Sequence, residues 1–563
     1  MSECDSTAAA ETQPVAGDSA ETLVLLCGSL GRRIPALDPG ELANWVVESK
    51  AGTRAVVVPD LCSSLGAVAE AADDDTRTLV LGLCSNEYRE PEFQRSARKA
   101  GIDPLAIAVV APGSYSATLE QDQDVGSVTK TLLAAAVARV RAFPGSQPED
   151  IRPYVVGGGQ RISRRALFTT PPIAYRPVVS IDRKVCAAST GCDQCVEACP
   201  ADALANVDGA IRVTRRSCVS CGLCQSACPT SAAQLPGQTI AQLEAEVREL
   251  LTNPALDSDV PRATLFVCRQ NVSALDSLSR SSSPMAPQWL PLSVPCSGFV
   301  SPAIILQSLA HGAAAVGILG CGNDCRYGQR EHTQGKIDYC QKALAALGLP
   351  SGVVTFFDAS LGASSLAASL NSPLEGWRNA AALTSRLSFS GPSAAASALI
   401  ALAAAAANDD APAALDHPYS PLGLVKIDSD GCTGCGSCAQ TCPTGALDLA
   451  QGNTVTLKYD STLCTGCAQC VSVCPERVVH VSRTTDLARL GNGPEGLYED
   501  ETVRCRSCGS PVAPVAMLKR IEAALSRDGE RPNDATMRTI TSLCPACRGS
   551  GIPLASNSGQ DAD

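Results

Sequence analysis

Two groups of four cysteines, each followed directly by a proline, have the spacing of ligands to iron–sulfur clusters. Both groups follow the pattern C-x2-C-x2-C-x3-C-P, the first ending before Pro443 and the second before Pro475. In this pattern three closely spaced thiolates bind three irons of one [4Fe–4S] cluster, and the fourth cysteine binds an iron of the other cluster. The two crossed ligand sets are therefore Cys432, Cys435, Cys438 with Cys474, and Cys464, Cys467, Cys470 with Cys442.

A disulfide framework or two zinc knuckles would also use several cysteines, but neither predicts eight of them with both prolines in register. Each proline ends a ligand loop, because its ring fixes the backbone where the chain turns away. The double motif resembles that of bacterial ferredoxins. The resemblance implies that residues 419–483 form a small α+β unit, called ferredoxin unit 2 here, which binds two [4Fe–4S] clusters.

A less regular version of the motif, ferredoxin unit 1, spans residues 177–236. Its second half has the regular spacing before Pro229, whereas five residues instead of two separate Cys186 from Cys192. The longer loop can still bring the Cys186 thiolate to an iron, and it would change the hydrogen bonds to the sulfurs and therefore the reduction potential. The crossed ligand sets are Cys186, Cys192, Cys195 with Cys228, and Cys218, Cys221, Cys224 with Cys199.

Residues 21–145 alternate short apolar runs with helical stretches, which predicts an α/β domain with a parallel sheet. Cys27, Cys62 and Cys84 follow the first three predicted strands, whose carboxyl ends share the sheet edge where ligands bind. They form either a shared site or three small buried hydrophobic residues. The predicted strands are 23–26, 55–58, 79–83 and 106–110, and the predicted helices are 40–48, 64–72, 91–100 and 128–143.

This domain resembles the N-terminal domain of the A-type subunit of heterodisulfide reductase. The resemblance implies a further iron–sulfur cluster at Cys27, Cys62 and Cys84, with a fourth ligand still to be identified. A flavin domain follows in the relatives, but here Ile162 stands where the glycine motif that begins at 157–159 needs its last glycine. We therefore predict that residues 146–176 are a linker and that no FAD is bound. The matching segments are 26–28, 60–63, 83–85, 90–93 and 100–104.

A second pattern of strands and helices, at residues 259–372, follows a predicted helical connector at 237–258. Four cysteines gathered at the sheet edge of such a domain suit one [2Fe–2S] cluster. Cys340 falls in a predicted helix, 336–347, and is expected in the core, whereas His332 is either a ligand or a solvated loop residue. The predicted strands are 264–267, 292–294, 315–319 and 353–357, and the candidate ligands after the first three are Cys268, Cys296, Cys321 and Cys325.

The same segment resembles the delta subunit of methyl-viologen-reducing hydrogenase. The resemblance implies a [2Fe–2S] domain that takes electrons from a hydrogenase-like partner and delivers them to a module of the heterodisulfide reductase type. Asn271 stands close to where the family often has a second cysteine. The matching segments are 267–268, 295–298, 311–313, 319–322 and 324–327.

The C-terminal tail, residues 484–563, carries two C-x2-C pairs on either side of a predicted helix at 514–525. Four thiolates in such pairs are typical of a structural zinc ribbon, which would stabilise a small segment without its own core; iron in the same site is the alternative. Residues 373–418 are rich in alanine and are predicted to be a helical spacer. The four candidate ligands are Cys505, Cys508, Cys544 and Cys547.

The composition limits where the chain works and what it binds. A chain of 563 residues with 29 cysteines, and with a polar segment at 1–20 in place of an export signal, indicates metal ligation in a reducing cytoplasm. The longest apolar run, 394–407, is too short to span a bilayer and is expected to be a packed helix. The net charge of −12 disfavours nucleic acid, and it fits docking to basic protein partners as well as plain solubility.

Together these parts predict a multidomain α/β plus α+β chain: two parallel-sheet domains, two ferredoxin-like units and a zinc-ribbon-like tail. We expect an electron-transfer subunit of a cytoplasmic, anaerobic oxidoreductase complex. Its partners would be a hydrogenase, a formate or aldehyde dehydrogenase, or a disulfide reductase. Two alternatives remain open: an incompletely ligated cluster in the N-terminal domain that itself reduces a small substrate, or a docking scaffold that carries ferredoxins.

Overall fold

The computed structural model describes residues 21–64, 66–84, 90–114, 122–155, 173–256, 261–279, 289–322, 325, 327, 329–371, 391, 393–406, 414–527 and 534–549. The segment 1–20, the glycine motif at 157–162 and most of the alanine-rich spacer before residue 393 lie outside these residues. So do residues 85, 324 and 326, which carry part of the two family resemblances. The chain divides into two units, Met1–Pro421 and Leu422–Asp563.

The N-terminal domain is built on a parallel sheet of four strands in the order β2-β1-β3-β4. Helices cover both faces of a parallel sheet, so the side chains on both faces of each strand are buried. Continuous apolar runs suit such strands, and the side chains at 23–26 are fully buried. The predicted strands and helices are confirmed, with ends that differ by a few residues. They are β1 (Thr22–Cys27), α1 (Pro39–Ser49), β2 (Thr53–Val58), α2 (Ala67–Ala71), β3 (Thr78–Gly82), α3 (Glu90–Lys99), β4 (Ile107–Val110) and α4 (Asp122–Arg141).

Ferredoxin unit 1 consists of short antiparallel pairs joined by the cysteine loops. The described parts of the predicted linker at 146–176 form the pair β5–β6, which the sequence analysis did not predict. Gln94 of α3 holds β6 through two hydrogen bonds, donating to the Tyr175 carbonyl (3.0 Å) and accepting from the Tyr175 N–H (2.7 Å). The elements are β5 (Ile151–Val155), β6 (Ile173–Pro177), β7 (Ser180–Ile181), α5 (Gln194–Glu197), β8 (Leu204–Val207), β9 (Ala210–Val213), α6 (Leu223–Ala227) and β10 (Ala233–Gln234).

The predicted connector is confirmed as a helix, α7 (Ile240–Thr252), and it packs against two domains. Thr239 begins it with a capping box, which satisfies backbone N–H groups at its first turn. On one side the carboxylate of Glu246 forms a buried ion pair with Arg139 of α4 (2.9 Å). On another side Glu244 accepts a hydrogen bond from the side chain of Gln307 in the middle domain (3.1 Å). The connector therefore fixes the N-terminal domain relative to the middle domain.

The middle domain repeats the arrangement of the first, with a parallel sheet in the order β12-β11-β13-β14. The alanine-rich run that follows forms a helix that is buried along most of its length and packs on α9, as expected of a packed helix. The elements are β11 (Ala263–Cys268), α8 (Val272–Ser279), β12 (Trp289–Val294), α9 (Pro302–Ala310), β13 (Ala315–Gly320), α10 (Arg330–Ala346), β14 (Val354–Asp358), α11 (Ala363–Leu370) and α12 (Ala394–Ala406).

In the second unit, two strands of the C-terminal tail extend the sheet of ferredoxin unit 2. The hairpin β16–β17 pairs through β17 with the long strand β19, and β19 pairs with β20. The sequence analysis did not predict this shared sheet. The elements are β15 (Leu424–Ile427), α13 (Ser437–Thr441), β16 (Leu447–Gln451), β17 (Thr454–Tyr459), α14 (Gln469–Val473), β18 (Val479–Ser482), β19 (Glu495–Arg504), β20 (Pro511–Pro514), α15 (Val515–Arg527), α16 (Asp534–Ser542) and α17 (Pro545–Gly549).

Candidate iron–sulfur and metal centres

The cysteines of ferredoxin unit 1 gather in the crossed groups that the motif predicts. Burial, and then the nearby thiols of Cys228, Cys192 and Cys186, raise the pKa of Cys195 to about 12. In the second group, burial and the neighbouring Cys199 and Cys218 raise the pKa of Cys221 to about 11. Four thiols held together in an apolar core favour a positively charged iron core as their partner, since thiolates alone would repel one another.

Ferredoxin unit 2 shows the same crossed proximity. Burial raises the pKa of Cys470 to about 12, and its neighbours include Cys442 from the first half of the motif. Cys474 from the second half lies near Cys432. A small cavity lies among the members of this first set, lined by aliphatic side chains of β15, β16 and β17 together with Cys432, Cys435, Cys438 and Cys474. Four thiols and apolar walls fit a cubane cluster.

The ligand loops direct backbone N–H groups at the sulfurs. The N–H two residues after Cys192, Cys221, Cys432 and Cys464 donates to the thiol in each case. Left-handed backbone conformations make these tight turns possible, for example at Gly222 (φ +75°). Such hydrogen bonds favour the thiolate and contribute to the reduction potential of a cluster.

The four cysteines of the middle domain meet at the carboxyl edge of the sheet, as the positions after the strands predict. The thiols of Cys268 and Cys296 share a hydrogen bond, and Cys325 lies near both Cys296 and Cys321. The side chain of Asn271 donates to the Cys321 sulfur at 3.3 Å. Asn271 therefore contacts a candidate ligand and is not one itself, since its amide nitrogen has no lone pair to offer.

Other residues of the middle domain have structural roles. Cys340 is fully buried in α10, and burial raises the pKa of its thiol, which confirms its assignment to the core. His332 lies in α10 and not in a loop as expected; it is exposed, and its Nδ1 lies 2.9 Å from the Tyr419 hydroxyl.

The three N-terminal cysteines are close together at the edge of the first sheet. The sulfurs of Cys27, Cys62 and Cys84 all lie within 4.8 Å of one another. Hydrogen bonds from the other two thiols, and from the backbone N–H groups of Ser29 and Cys62, lower the pKa of Cys27. The arrangement supplies three thiolate ligands and fits a single metal ion, or a cluster that takes a fourth ligand from elsewhere.

The four tail cysteines form the other tight group, again with all sulfurs within 4.8 Å. The Cys508 and Cys544 sulfurs are 3.6 Å apart. Zinc–sulfur bonds of about 2.3 Å in a tetrahedral site place the ligand sulfurs about 3.8 Å apart, so this set fits one zinc or iron ion. Over the part of the chain that the structure describes, the ferredoxin sets form no such tight group, as is expected for ligands that surround a larger cluster.

Comparison with family models assigns three segments. Residues 263–372 match the family "methyl-viologen-reducing hydrogenase, delta subunit". Residues 178–229 and 425–481 each match a 4Fe-4S dicluster domain. No curated protein matches the chain. The chain is an iron–sulfur electron-transfer subunit.

These matches confirm the two ferredoxin units and the resemblance of the middle domain. None of the three covers residues 21–145, so the resemblance of that domain to a heterodisulfide reductase stays a prediction. The tail also lies outside them, and its zinc ribbon stays a prediction as well. Among the helices of the described residues, none has the length and apolar character needed to cross a membrane.

The sequence analysis missed a buried lysine in this electron-transfer protein, Lys336 of α10. Its ammonium donates to the Ser226 hydroxyl of ferredoxin unit 1 (2.7 Å) and to the Gly298 carbonyl of the middle domain (2.5 Å). A signal was present, because Lys336 lies three residues after the buried Thr333 and four before the buried Cys340. It therefore belongs to the inward-facing stripe of the helix.

Proposed function

We propose that this chain relays single electrons between two protein partners of an oxidoreductase complex in a reducing cytoplasm. On one side would be an enzyme that releases electrons, of the hydrogenase, formate dehydrogenase or aldehyde dehydrogenase type. On the other side would be an acceptor module of the disulfide reductase type. The match of the middle domain to a hydrogenase delta subunit carries this proposal, because it lies in one chain with two dicluster domains.

The proposed cofactors follow from the cysteine sets. Each ferredoxin unit would hold two [4Fe–4S] clusters with four thiolates apiece, and the middle domain one [2Fe–2S] cluster at Cys268, Cys296, Cys321 and Cys325. The tail set would hold structural zinc, for which its sulfur spacing is suited. Clusters with four protein ligands leave no position for a substrate on the iron, which supports transfer of electrons and not chemistry on a small molecule.

The test is a metal count on protein purified without oxygen, combined with electron paramagnetic resonance of the reduced sample. Four cubanes give about sixteen irons per chain, and one [2Fe–2S] cluster raises the count to about eighteen. The variant Cys296→Ser should lose about two irons and the [2Fe–2S] signal. The variant Cys340→Ser, at a buried cysteine of the same domain outside the set, should keep both. A chain with four or fewer irons, or with clusters that a low-potential donor does not reduce, would contradict the relay.

A second candidate function rests on the N-terminal site. Because Cys27, Cys62 and Cys84 supply three ligands, a cluster bound there could offer its remaining position to a small substrate. Replacing all three by serine distinguishes the two functions. The relay predicts that electron flow from donor enzyme to acceptor continues through the other clusters, whereas the catalytic alternative predicts that substrate turnover stops.

A further inference from the structure

Ferredoxin unit 1 and the middle domain share a buried contact at which candidate ligands of two different clusters meet. Cys221 and Cys296 pack in one apolar group with Leu223, and Val219 packs against it. The Cys221 thiol is close enough to contribute to the pKa of Cys296. These two cysteines belong to separate ligand sets that lie 75 residues apart in sequence, so only the folded chain places them together.

The backbones around this contact fit closely. A side chain at Gly222 would collide with the ring of Phe299, and one at Gly298 would press on Leu223. The Arg269 guanidinium donates to the Val219 carbonyl at 2.9 Å. This interface is therefore packed and hydrogen-bonded like a domain interior, which holds the two ligand sets at a fixed separation.

Lys336 of α10 connects the two sides of this contact by hydrogen bonds. Its side chain is 6% exposed, and its ammonium links the Ser226 hydroxyl to the Gly298 carbonyl. The Ser226 hydroxyl also donates to that carbonyl at 2.9 Å. Ser226 lies between Cys224 and Cys228, and Gly298 lies two residues after Cys296, so the ammonium contacts segments that carry candidate ligands of ferredoxin unit 1 and of the middle domain.

The ammonium requires a negative partner, because an unpaired charge in a protein interior is strongly unfavourable. Burial lowers the pKa of Lys336 to about 8, and Cys296 is the ionisable group that favours its charged form. Among the described residues no carboxylate forms an ion pair with Lys336. The thiolates and the clusters that they bind are the negative charge available at this position, and reduction of a cluster adds one more.

We propose that the cluster at Cys218, Cys221, Cys224 and Cys199 exchanges electrons directly with the cluster of the middle domain across the Cys221–Cys296 contact, and that Lys336 is the buried counter-cation of this pair. The inference rests on the proposed relay function and adds which two clusters exchange electrons within the chain. One electron leaves one cluster, which is oxidised, and enters the other, which is reduced; Lys336 keeps its proton throughout. Lys336 itself transfers no electron; its positive charge stabilises the reduced clusters.

The first experiment is a redox titration of the complete chain followed by electron paramagnetic resonance, with Lys336→Met compared to wild type. Removing the cation should lower the equilibrium constant for reduction of both clusters by at least tenfold, which is 59 mV for one electron. Lys342→Met is the matched control, because Lys342 lies on the same helix but is half exposed and pairs with Asp338. In Lys342→Met the equilibrium constants for reduction of these two clusters should change by less than twofold. The same limit should hold for the clusters of ferredoxin unit 2 in both variants. Equal potentials in Lys336→Met and Lys342→Met would overturn the role of the lysine.

The second experiment needs no change at Lys336, so it remains informative if that variant does not fold. In fully reduced wild-type protein, the two neighbouring paramagnetic clusters should split or broaden each other's signals and relax faster. Cys221→Ser should abolish this interaction. Cys467→Ser, at the corresponding position of ferredoxin unit 2, should leave it intact. Reducible clusters without such an interaction would overturn direct exchange while leaving the relay function standing, whereas clusters that accept no electrons would overturn both.

Discussion

Asn271 shows how a residue that is not a ligand can adjust a candidate cluster. Its amide donates to the Cys321 sulfur, and a hydrogen bond to a ligand sulfur stabilises the more negative, reduced cluster. The amide would therefore raise the reduction potential of the proposed [2Fe–2S] cluster.

We expect Asn271→Leu to lower the potential of that cluster by about 40 mV, since a hydrogen bond contributes about 1 kcal/mol and a tenfold change in a one-electron equilibrium is 59 mV. A redox titration of the [2Fe–2S] signal measures the change. The neighbouring variant Gln270→Leu, at an exposed side chain, should leave the potential unchanged. A rise in potential for Asn271→Leu would show that the amide does not donate to the reduced cluster.

Among the elements, α6 of ferredoxin unit 1 determines how that unit docks on the middle domain. The turn before this helix has a left-handed residue, Gly222, whose Cα lies against the ring of Phe299. Any larger residue would need both an unfavourable backbone conformation and a shift of a buried ring.

We expect Gly222→Ala to destabilise this contact by about 2–4 kcal/mol, from about 1 kcal/mol of backbone strain and about 1–3 kcal/mol of overpacking. Hydrogen exchange of α6 and of the segment around Phe299 should rise. The matched variant is Gly191→Ala in the same unit, which has φ +92° but open space around the added carbon, so it should show the backbone cost alone. Equal effects of the two variants would mean that the ring moves aside without cost.

For the whole molecule, the shared sheet makes the second unit a candidate for independent folding. Strand β19 of the tail pairs with β17 of ferredoxin unit 2. The four tail cysteines lie together and supply a candidate metal site within the same unit. The tail therefore covers a strand edge that would otherwise be open to pairing with another chain.

We expect the segment 422–563, produced by itself, to fold and to bind about eight irons and one zinc ion. The segment 422–490, which lacks β19 and the tail cysteines, should bind no zinc and should aggregate or lose its clusters faster in air. Metal analysis and size-exclusion chromatography measure both effects. Equal stability of the two segments would show that the tail does not support ferredoxin unit 2.

Local spacing determined most of what could be predicted. Cysteines two or three residues apart must lie within reach of the same cluster, whatever the rest of the chain does, so Cys432 to Cys474 identified their cofactor without a structure. Apolar runs such as 23–26 likewise form buried strands in any parallel sheet, and the cysteines that follow them meet at one edge.

Only the tertiary structure decided which sites are neighbours. The contact of Cys221 with Cys296, the hydrogen bond of Lys336 to Ser226 and the pairing of β17 with β19 all join segments that are distant in the sequence. Motif spacing and periodicity describe a few residues at a time and contain no information on such pairings. These pairings depend on how complete surfaces fit together, because close packing and the cost of a buried charge act only once the chain has folded.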